Sequence, residues 1–376
     1  MPDPAFDQLV FTPGDVDLTR SPLAGRIDAE TYVLGAFNPG LTRLPSGNLL
    51  MMVRVAEALR HPIEDAHVSS IRWHDGGFHL DRWPLHRVDM TDPRAFALRE
   101  ESWSVSGLTS LSWLLPVELD PDGRRVEAVH YARAVAPAAS YQCYGIEDAG
   151  ISKVGADNEG RWLMTTCSVS PERQCTTLYT SDDALDWQLE GIVLDHQNKD
   201  MLIFNGLIAG EYWAQTRPLG DAYFAYPPDS EWRAGPSINL ARSPDALHWR
   251  PCDKPGIRPH AATLSTVRMG GGAPPVLTDD GWLSLWHGVE PNGGVGAYKT
   301  YWSILDRDDP SIVVRTAHPP LLQPAPHLTA PLSEQMYLDD IVFTTGLVDG
   351  GDYWIVASGE ADLACRITHV PKAAIA

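Results

Sequence analysis

The 376-residue chain has no CxxC pair, and its five cysteines (Cys143, Cys167, Cys175, Cys252 and Cys365) are scattered and odd in number. That spacing excludes a disulfide framework and a cysteine-based zinc site, and predicts reduced, mostly buried thiols and no bound metal. Long apolar runs are also missing. None approaches the roughly 18 residues of a membrane span. The start, Met1-Pro2-Asp3-Pro4-Ala5, has neither a basic nor an apolar leader segment. A cytoplasmic location away from membranes is expected. Positive charge is scarce, with 29 Lys and Arg against 49 Asp and Glu and a formal net charge of -20. A phosphate-backbone polymer would be repelled at long range, so nucleic acid is not an expected partner. Finally, no helical apolar stripe exceeds about twelve residues, which leaves strands as the main element.

What the chain does have suits strands and turns: 31 Gly, 31 Pro and 13 Trp. A turn glycine followed by an apolar, aromatic-rich strand with a polar end occurs five times. The copies are Gly47-Asn48-Leu49-Leu50-Met51-Met52-Val53-Arg54, Gly160-Arg161-Trp162-Leu163-Met164-Thr165-Thr166-Cys167, Gly210-Glu211-Tyr212-Trp213-Ala214-Gln215-Thr216-Arg217, Gly281-Trp282-Leu283-Ser284-Leu285-Trp286-His287-Gly288 and Gly351-Asp352-Tyr353-Trp354-Ile355-Val356-Ala357-Ser358. Each reads as the second strand of a hairpin. Gly210, Gly281 and Gly351 stand 71 and 70 residues apart, and Gly160 precedes Gly210 by 50. These are blade-sized periods, and the expected fold is all-β: a five-bladed β-propeller forming one domain over residues 1–376.

Two strings, Ser181-Asp182-Asp183-Ala184-Leu185-Asp186-Trp187 and Ser243-Pro244-Asp245-Ala246-Leu247-His248-Trp249, read as matching turns between third and fourth strands, capped by Ser and Asp with Trp packed beneath. The 113-residue interval from Gly47 to Gly160 is too long for an ordinary blade, so either an insertion over the central pocket or a long first blade is expected between about Glu57 and Ala139.

In a propeller the innermost strands line the centre, so polar residues near the repeat ends should converge. Arg54, Thr166, Cys167, Thr216, Arg217, His287, Ser358, Glu360 and Asp362 stand at or just beyond those ends. The preceding segments add Asn38, Glu147, Asp148, Lys199, Asp200, Asp339 and Asp340. Carboxylates set among several cations and a histidine suit glycosyl transfer. One acid protonates the leaving oxygen while water or an anion attacks the opposite face of the sugar. Taken singly, Glu147-Asp148 reads equally as a turn, Arg54 and Arg217 as strand-end arginines, Lys199-Asp200 as an exposed pair, and His287 as a core histidine. The string Gly270-Gly271-Gly272-Ala273-Pro274-Pro275 lacks the Lys, Ser or Thr and following helix of a phosphate loop, which excludes a nucleotide site.

From about Phe37 to Thr368 the chain resembles glycoside hydrolase family 130, the β-mannoside phosphorylases and β-mannosidases. The matching strings are Phe37-Asn38-Pro39-Gly40, Val53-Arg54-Val55, Gly145-Ile146-Glu147-Asp148, Asn198-Lys199-Asp200, Thr216-Arg217-Pro218, Gly272-Ala273-Pro274-Pro275, Trp286-His287-Gly288-Val289, Asp309-Pro310 and Val342-Phe343. The resemblance implies that Asp148 is the catalytic acid, acting through a sugar hydroxyl. It places Arg54, Lys199, Arg217 and His287 around a phosphate or the attacked sugar, and Asp362 near the sugar subsite, with Asn38, Glu147 and Asp200 also binding substrate. No cofactor is implied beyond inorganic phosphate as co-substrate in a phosphorylase. The partner is a small β-mannoside, and a homo-oligomer stays open.

Three positions depart from the family pattern. Its Glu-Asp-Pro-Arg reads Glu147-Asp148-Ala149-Gly150, an expected arginine aligns with Cys175 although Arg173 lies nearby, and its His-Arg-Pro reads Thr216-Arg217-Pro218. Losing these groups weakens a phosphate site, so the reading leans to an inverting hydrolase with Glu57, Glu172 or Asp200 as base. Phosphorolysis giving mannose 1-phosphate is the alternative, as is a sugar-binding propeller without catalysis.

Overall fold

A computed structural model describes residues 6–92, 94–99, 105–155, 160–195, 197–219, 223–260 and 268–375. The protein is all-β. Its body consists of five sheets, each with an antiparallel path of four strands. In chain order, the strand that follows each repeat glycine is the second strand of its sheet: Leu49–Leu59, Arg161–Val169, Tyr212–Pro218, Gly281–Glu290 and Tyr353–Glu360. The first strands are Thr31–Arg43, Ile146–Val154, Asn198–Ile203, Arg268–Gly271 and Val342–Asp349. Thr31–Arg43 touches both Ile146–Val154 and Val342–Asp349, so the first sheet neighbours the second and the fifth.

Each second strand is sandwiched between two neighbouring sheets, which explains why it reads as a continuous apolar run rather than an alternation. In the first sheet Leu49, Met51, Val53 and Val55 pack toward the fifth sheet with Ile355, Ala357 and Ile367. Leu50 and Met52 point the other way, onto Ile146, Ile151 and Met164 of the second sheet. The same two-faced pattern gives apolar clusters between the second and third, third and fourth, and fourth and fifth sheets. The buried thiols Cys143, Cys167, Cys175 and Cys365 are unpaired, and Cys252 is half-buried and also unpaired.

Both repeated turns lie between third and fourth strands. In the first, Asp183 Oδ1 accepts from Ser181 Oγ (3.0 Å), Leu185 N (2.8 Å) and Asp186 N (2.7 Å). In the second, Asp245 Oδ1 accepts from Ser243 Oγ (3.0 Å), Leu247 N (2.9 Å) and His248 N (2.9 Å). Ala184 and Ala246 both sit at φ 63°, an unfavourable backbone for alanine that the aspartate bonds hold in place.

The long first interval contains both remaining strands of the first sheet and an inserted part. Ser110–Leu119 and Val126–Val129 are the third and fourth strands of the first sheet, so the inserted part is confined to two small sheets, one of Ile63–Glu64, His67–His74 and Gly77–Pro84, the other of Val88–Asp92, Ala95–Leu98 and Ser106–Leu108. The run Ser110–Leu119 is buried along nearly its whole length, which removed the alternation that would have marked it as a sheet strand. The inserted part carries a small apolar cluster of its own, built on Val68, Val88 and Phe96.

The N-terminal strand Asp7–Phe11 completes the fifth sheet by pairing with Ala364–Pro371. A buried ion pair fastens it: Arg366 Nε and Nη2 reach Asp7 Oδ1 and Oδ2 at 2.6 and 2.7 Å, while Nη1 meets Glu360 at 2.9 Å. Asp7→Ala should therefore cost about 3 kcal/mol of stability, because it leaves a buried guanidinium short of a partner. Denaturant unfolding checks this; a change below about 0.5 kcal/mol would show that the closure rests on the strand ladder alone.

Candidate active site

Three of the first strands carry the same irregularity. In the first sheet the register runs from Phe37↔Arg54 to Gly40↔Met52, in the second from Glu147↔Cys167 to Gly150↔Thr165, and in the third from Lys199↔Arg217 to Leu202↔Gln215. Each is a bulge in which two residues face one, and the first of the two is left-handed: Asn38 at φ 48°, Asp148 at 50° and Asp200 at 55°. Asn and Asp tolerate this backbone better than other non-glycine residues. The bulges turn Asn38, Asp148 and Asp200 into one cavity of about 890 Å³, beside the cations Arg54, Lys199 and Arg217 on the flanking positions.

The charges are wired across sheets. Asp148 Oδ1 accepts from Asn38 Nδ2 at 2.9 Å and from Arg54 Nη1 at 3.1 Å. Arg54 Nη2 continues to Glu147 Oε1 at 2.9 Å, and Glu147 Oε2 takes Lys199 Nζ at 2.8 Å. Glu147 is almost fully buried. Burial alone would push its carboxyl up, but Arg54 and Lys199 outweigh this and hold it well below the usual carboxylate range. Burial acts on Arg54 and Lys199 in the opposite sense, and the neighbouring carboxylates again win, keeping both firmly charged.

A second cluster occupies the third and fourth sheets. Arg217 Nη1 lies 3.0 Å from Asp200 Oδ2 and 3.0 Å from His287 Nε2. Arginine can only donate, so His287 Nε2 is the acceptor and its imidazole is neutral. Burial and the adjacent Arg217 both lower its pKa, in agreement with that tautomer. Asp200 Oδ2 is close to Arg217 without an aligned hydrogen bond, and burial raises its carboxyl despite that cation. Glycine makes room at two of these points. A Cβ on Gly270 would collide with Asp200 Oδ2 and His287, and one on Gly359 would collide with Asn38 Oδ1.

Of the nine predicted site residues, Asn38, Arg54, Glu147, Asp148, Lys199, Asp200, Arg217 and Asp362 line the cavity. His287 does not. It is 1% exposed and stands behind Arg217, packed on Phe343 with ring centroids 4.7 Å apart. Two of the three expected bases are misplaced. Glu57 is buried in the first sheet, accepting from Thr31 Oγ1 (2.6 Å) and Trp113 Nε1 (3.0 Å), and Glu172 is exposed away from the cavity. Arg173 pairs with Asp195 and does not reach the cavity either. Glu360 faces Arg366, Asp340 binds Asn292, and the departures Ala149, Gly150, Cys175 and Thr216 lie off the cavity wall. The residues that sequence reasoning missed are Asp92 and Arg94 from the insertion, Arg268, Tyr298 and Tyr337. Only the Asp- and Arg-rich character of the inserted segment hinted at the first two. Among the described residues no three His, Cys, Asp or Glu side chains gather as a metal-binding group, and no helix is long and apolar enough to cross a membrane.

The family model of glycoside hydrolase family 130, described as beta-1,4-mannooligosaccharide phosphorylase, matches residues 117–375. The chain belongs to this family. It is an enzyme of the family 130 type. A beta-1,2-mannobiose phosphorylase of Listeria innocua is 29% identical over 344 residues, 88% of this chain and 87% of that one. A 1,2-beta-oligomannan phosphorylase of Thermoanaerobacter is 30% identical over 58% of this chain and 65% of its own length. Among solved structures, the Listeria innocua beta-1,2-mannobiose phosphorylase in complex with beta-1,2-mannobiose superposes with a TM-score of 0.79 at 27% identity, covering 97% of this chain and 95% of that chain. These relatives are phosphorylases, so the comparisons favour the alternative reading, phosphorolysis, over the lean to hydrolysis.

The packing around Gly270 generates a test. Gly270→Ala should leave the fold intact and lower turnover of a family 130 substrate by roughly 10- to 100-fold, since a displacement near 1 Å at a site costs about that much. Activity within twofold of wild type, with an unchanged circular dichroism spectrum, would show that the Asp200, Arg217 and His287 cluster tolerates displacement.

Proposed function

We propose that this chain is a single five-bladed β-propeller that cleaves β-mannosides by phosphorolysis with inversion, taking inorganic phosphate and a small β-1,2-linked manno-oligosaccharide. The five sheets in sequence order, with the N-terminal strand completing the last, support the propeller. The β-1,2 linkage rests on the phosphorylases to which the chain is similar.

The observation that carries the choice of phosphate over water is the balance of charge on one side of the cavity. There the third and fourth sheets present Lys199, Arg217 and Arg268 against two carboxylates, Asp200 beside Arg217 and Glu147 of the second sheet, which Lys199 shares with Arg54. A hydrolase needs a carboxylate free to take a proton from water. Glu57 and Glu172 stand elsewhere, and Asp200 faces a guanidinium. An anion is the better nucleophile for such a wall, because charge-assisted contacts offset its desolvation.

Asp148 is the acid. Its proton passes through a sugar hydroxyl to the departing glycosidic oxygen, the C1–O bond breaks, and a phosphate oxygen closes on C1 from the opposite face. Arg54 and Asn38 then compensate the carboxylate left on Asp148. The proton gained by the leaving sugar is replaced, over the cycle, by the one that the phosphate brings. Glu147 orients Arg54 and Lys199, and Asp362 binds the sugar.

The experiment is the rate of mannobiose consumption against phosphate concentration. Turnover should saturate with phosphate and vanish without it. Lys199→Met should raise the phosphate KM at least about tenfold, the worth of one charge-assisted contact. Asp148→Asn should abolish turnover while binding survives. Cleavage at full rate without phosphate would turn the reading back to hydrolysis, and an active Asp148→Asn variant would remove the acid.

A further inference from the structure

The inserted sheets reach the cavity with Asp92, Arg94, Ala95 and Leu108, and the charged pair among them stands at the end of Val88–Asp92 and just before Ala95–Leu98. Asp92 Oδ1 accepts from the Arg94 backbone N at 2.9 Å and from Arg94 Nε at 3.1 Å, while Oδ2 takes Nη2 at 2.9 Å. The Arg94 carbonyl is pinned in turn by Thr109 N at 3.1 Å. One edge of the guanidinium, Nε and Nη2, is thus held by Asp92, and the remaining nitrogen, Nη1, reaches Asp362 Oδ2 at 3.4 Å across to the fifth sheet. Asp362 itself sits at φ 50° after Ala361 at φ 57°, and its carbonyl accepts from Tyr337 OH at 2.6 Å. Two successive left-handed residues without glycine cost on the order of 1 kcal/mol each, and this turn puts the Asp362 carboxylate on the cavity wall.

We infer that Arg94, carried by the insertion, is a positioning residue for Asp362, and that the Asp92–Arg94 pair sets how tightly the sugar is held at that carboxylate. The inference rests on the proposed function for the identity of the sugar and goes beyond it in giving the insertion a role. The matched stretch of the family model starts at residue 117, beyond both inserted sheets.

The groups facing Asp362 are Arg94 from the insertion, Arg54 from the first sheet, Asp148 from the second and Tyr337 from the segment before the fifth. Burial pushes the Asp362 carboxyl up and Asp148 adds to this, while Arg94 and Arg54 hold it down. Without Arg94 the carboxyl rises further and takes up its proton at a higher pH. An uncharged Asp362 is a weaker acceptor for sugar hydroxyls, so binding weakens first on the acid side.

Three full-length variants, Arg94→Met, Arg94→Lys and Asp92→Asn, are compared by steady-state kinetics over pH and by melting temperature. Arg94→Met should raise the mannobiose KM roughly 10- to 100-fold, the cost of misplacing a binding group, and move the acid limb of kcat/KM to higher pH, with the melting temperature near wild type. Arg94→Lys should restore the acid limb but not the KM, because it returns the charge without the fork. If Arg94→Met does not fold, Asp92→Asn decides, with a raised mannobiose KM expected. A wild-type KM and acid limb in the folded variants, or losses that simply follow a common fall in melting temperature, would overturn the inference. The sugar readouts hold whether phosphate or water attacks, so a missing phosphate requirement would refute the proposed function without deciding this one.

Discussion

The cavity depends on Arg54. Its guanidinium spans Glu147 and Asp148 on the neighbouring sheet, and Glu147 passes the connection to Lys199 on the next, so one chain of ion pairs fixes residues from three separate sheets. Taking such charges out of water is costly, and the arrangement is stable only because every member has a partner of opposite sign in good geometry. The consequence is a site with little freedom: Arg54 also bonds Ser112 Oγ at 3.0 Å and lies over the Phe37 ring at 4.9 Å, so neither its position nor its charge can drift.

Sheet packing and chemistry meet at the three bulges. A regular strand would send alternate residues into the apolar interfaces between sheets, and a charged residue there would be buried without a partner. The extra residue at Asn38, Asp148 and Asp200 re-aims one polar side chain toward the cavity, and the strand then resumes its apolar alternation into Gly40, Gly150 and Leu202. The backbone strain of the left-handed residues is held by the sheet on either side, and it is concentrated where the proposed acid and its neighbours stand.

Much of this was legible in the sequence. The five glycine-led strands could be read because both faces of each are buried and the turn glycine marks their start. Their polar ends converge because a common sheet position carries Arg54, Cys167, Arg217, His287 and Ser358. The depth of His287, buried behind Arg217, could not be read from the sequence, since a neutral histidine serving Arg217 and one touching substrate have the same sequence neighbourhood. Glu57 was open as a base because nothing local announces Trp113 and Thr31 as its partners. Arg94 could not be placed for a different reason: its partner Asp362 lies 268 residues away, and only the fold brings the two together. The lean to hydrolysis came from counting absent family cations at positions that do not line this cavity, while Arg268, which does, went uncounted.

In the proposed reaction Asp148 gives its proton on one face of the sugar while phosphate attacks the other. The direct measurement is proton NMR of the first product formed from β-1,2-mannobiose in phosphate buffer, recorded before anomers equilibrate. An inverting phosphorolysis must yield mannose 1-phosphate as the α anomer together with one equivalent of mannose. Free mannose as the only product, or the β anomer of the phosphate, would contradict it.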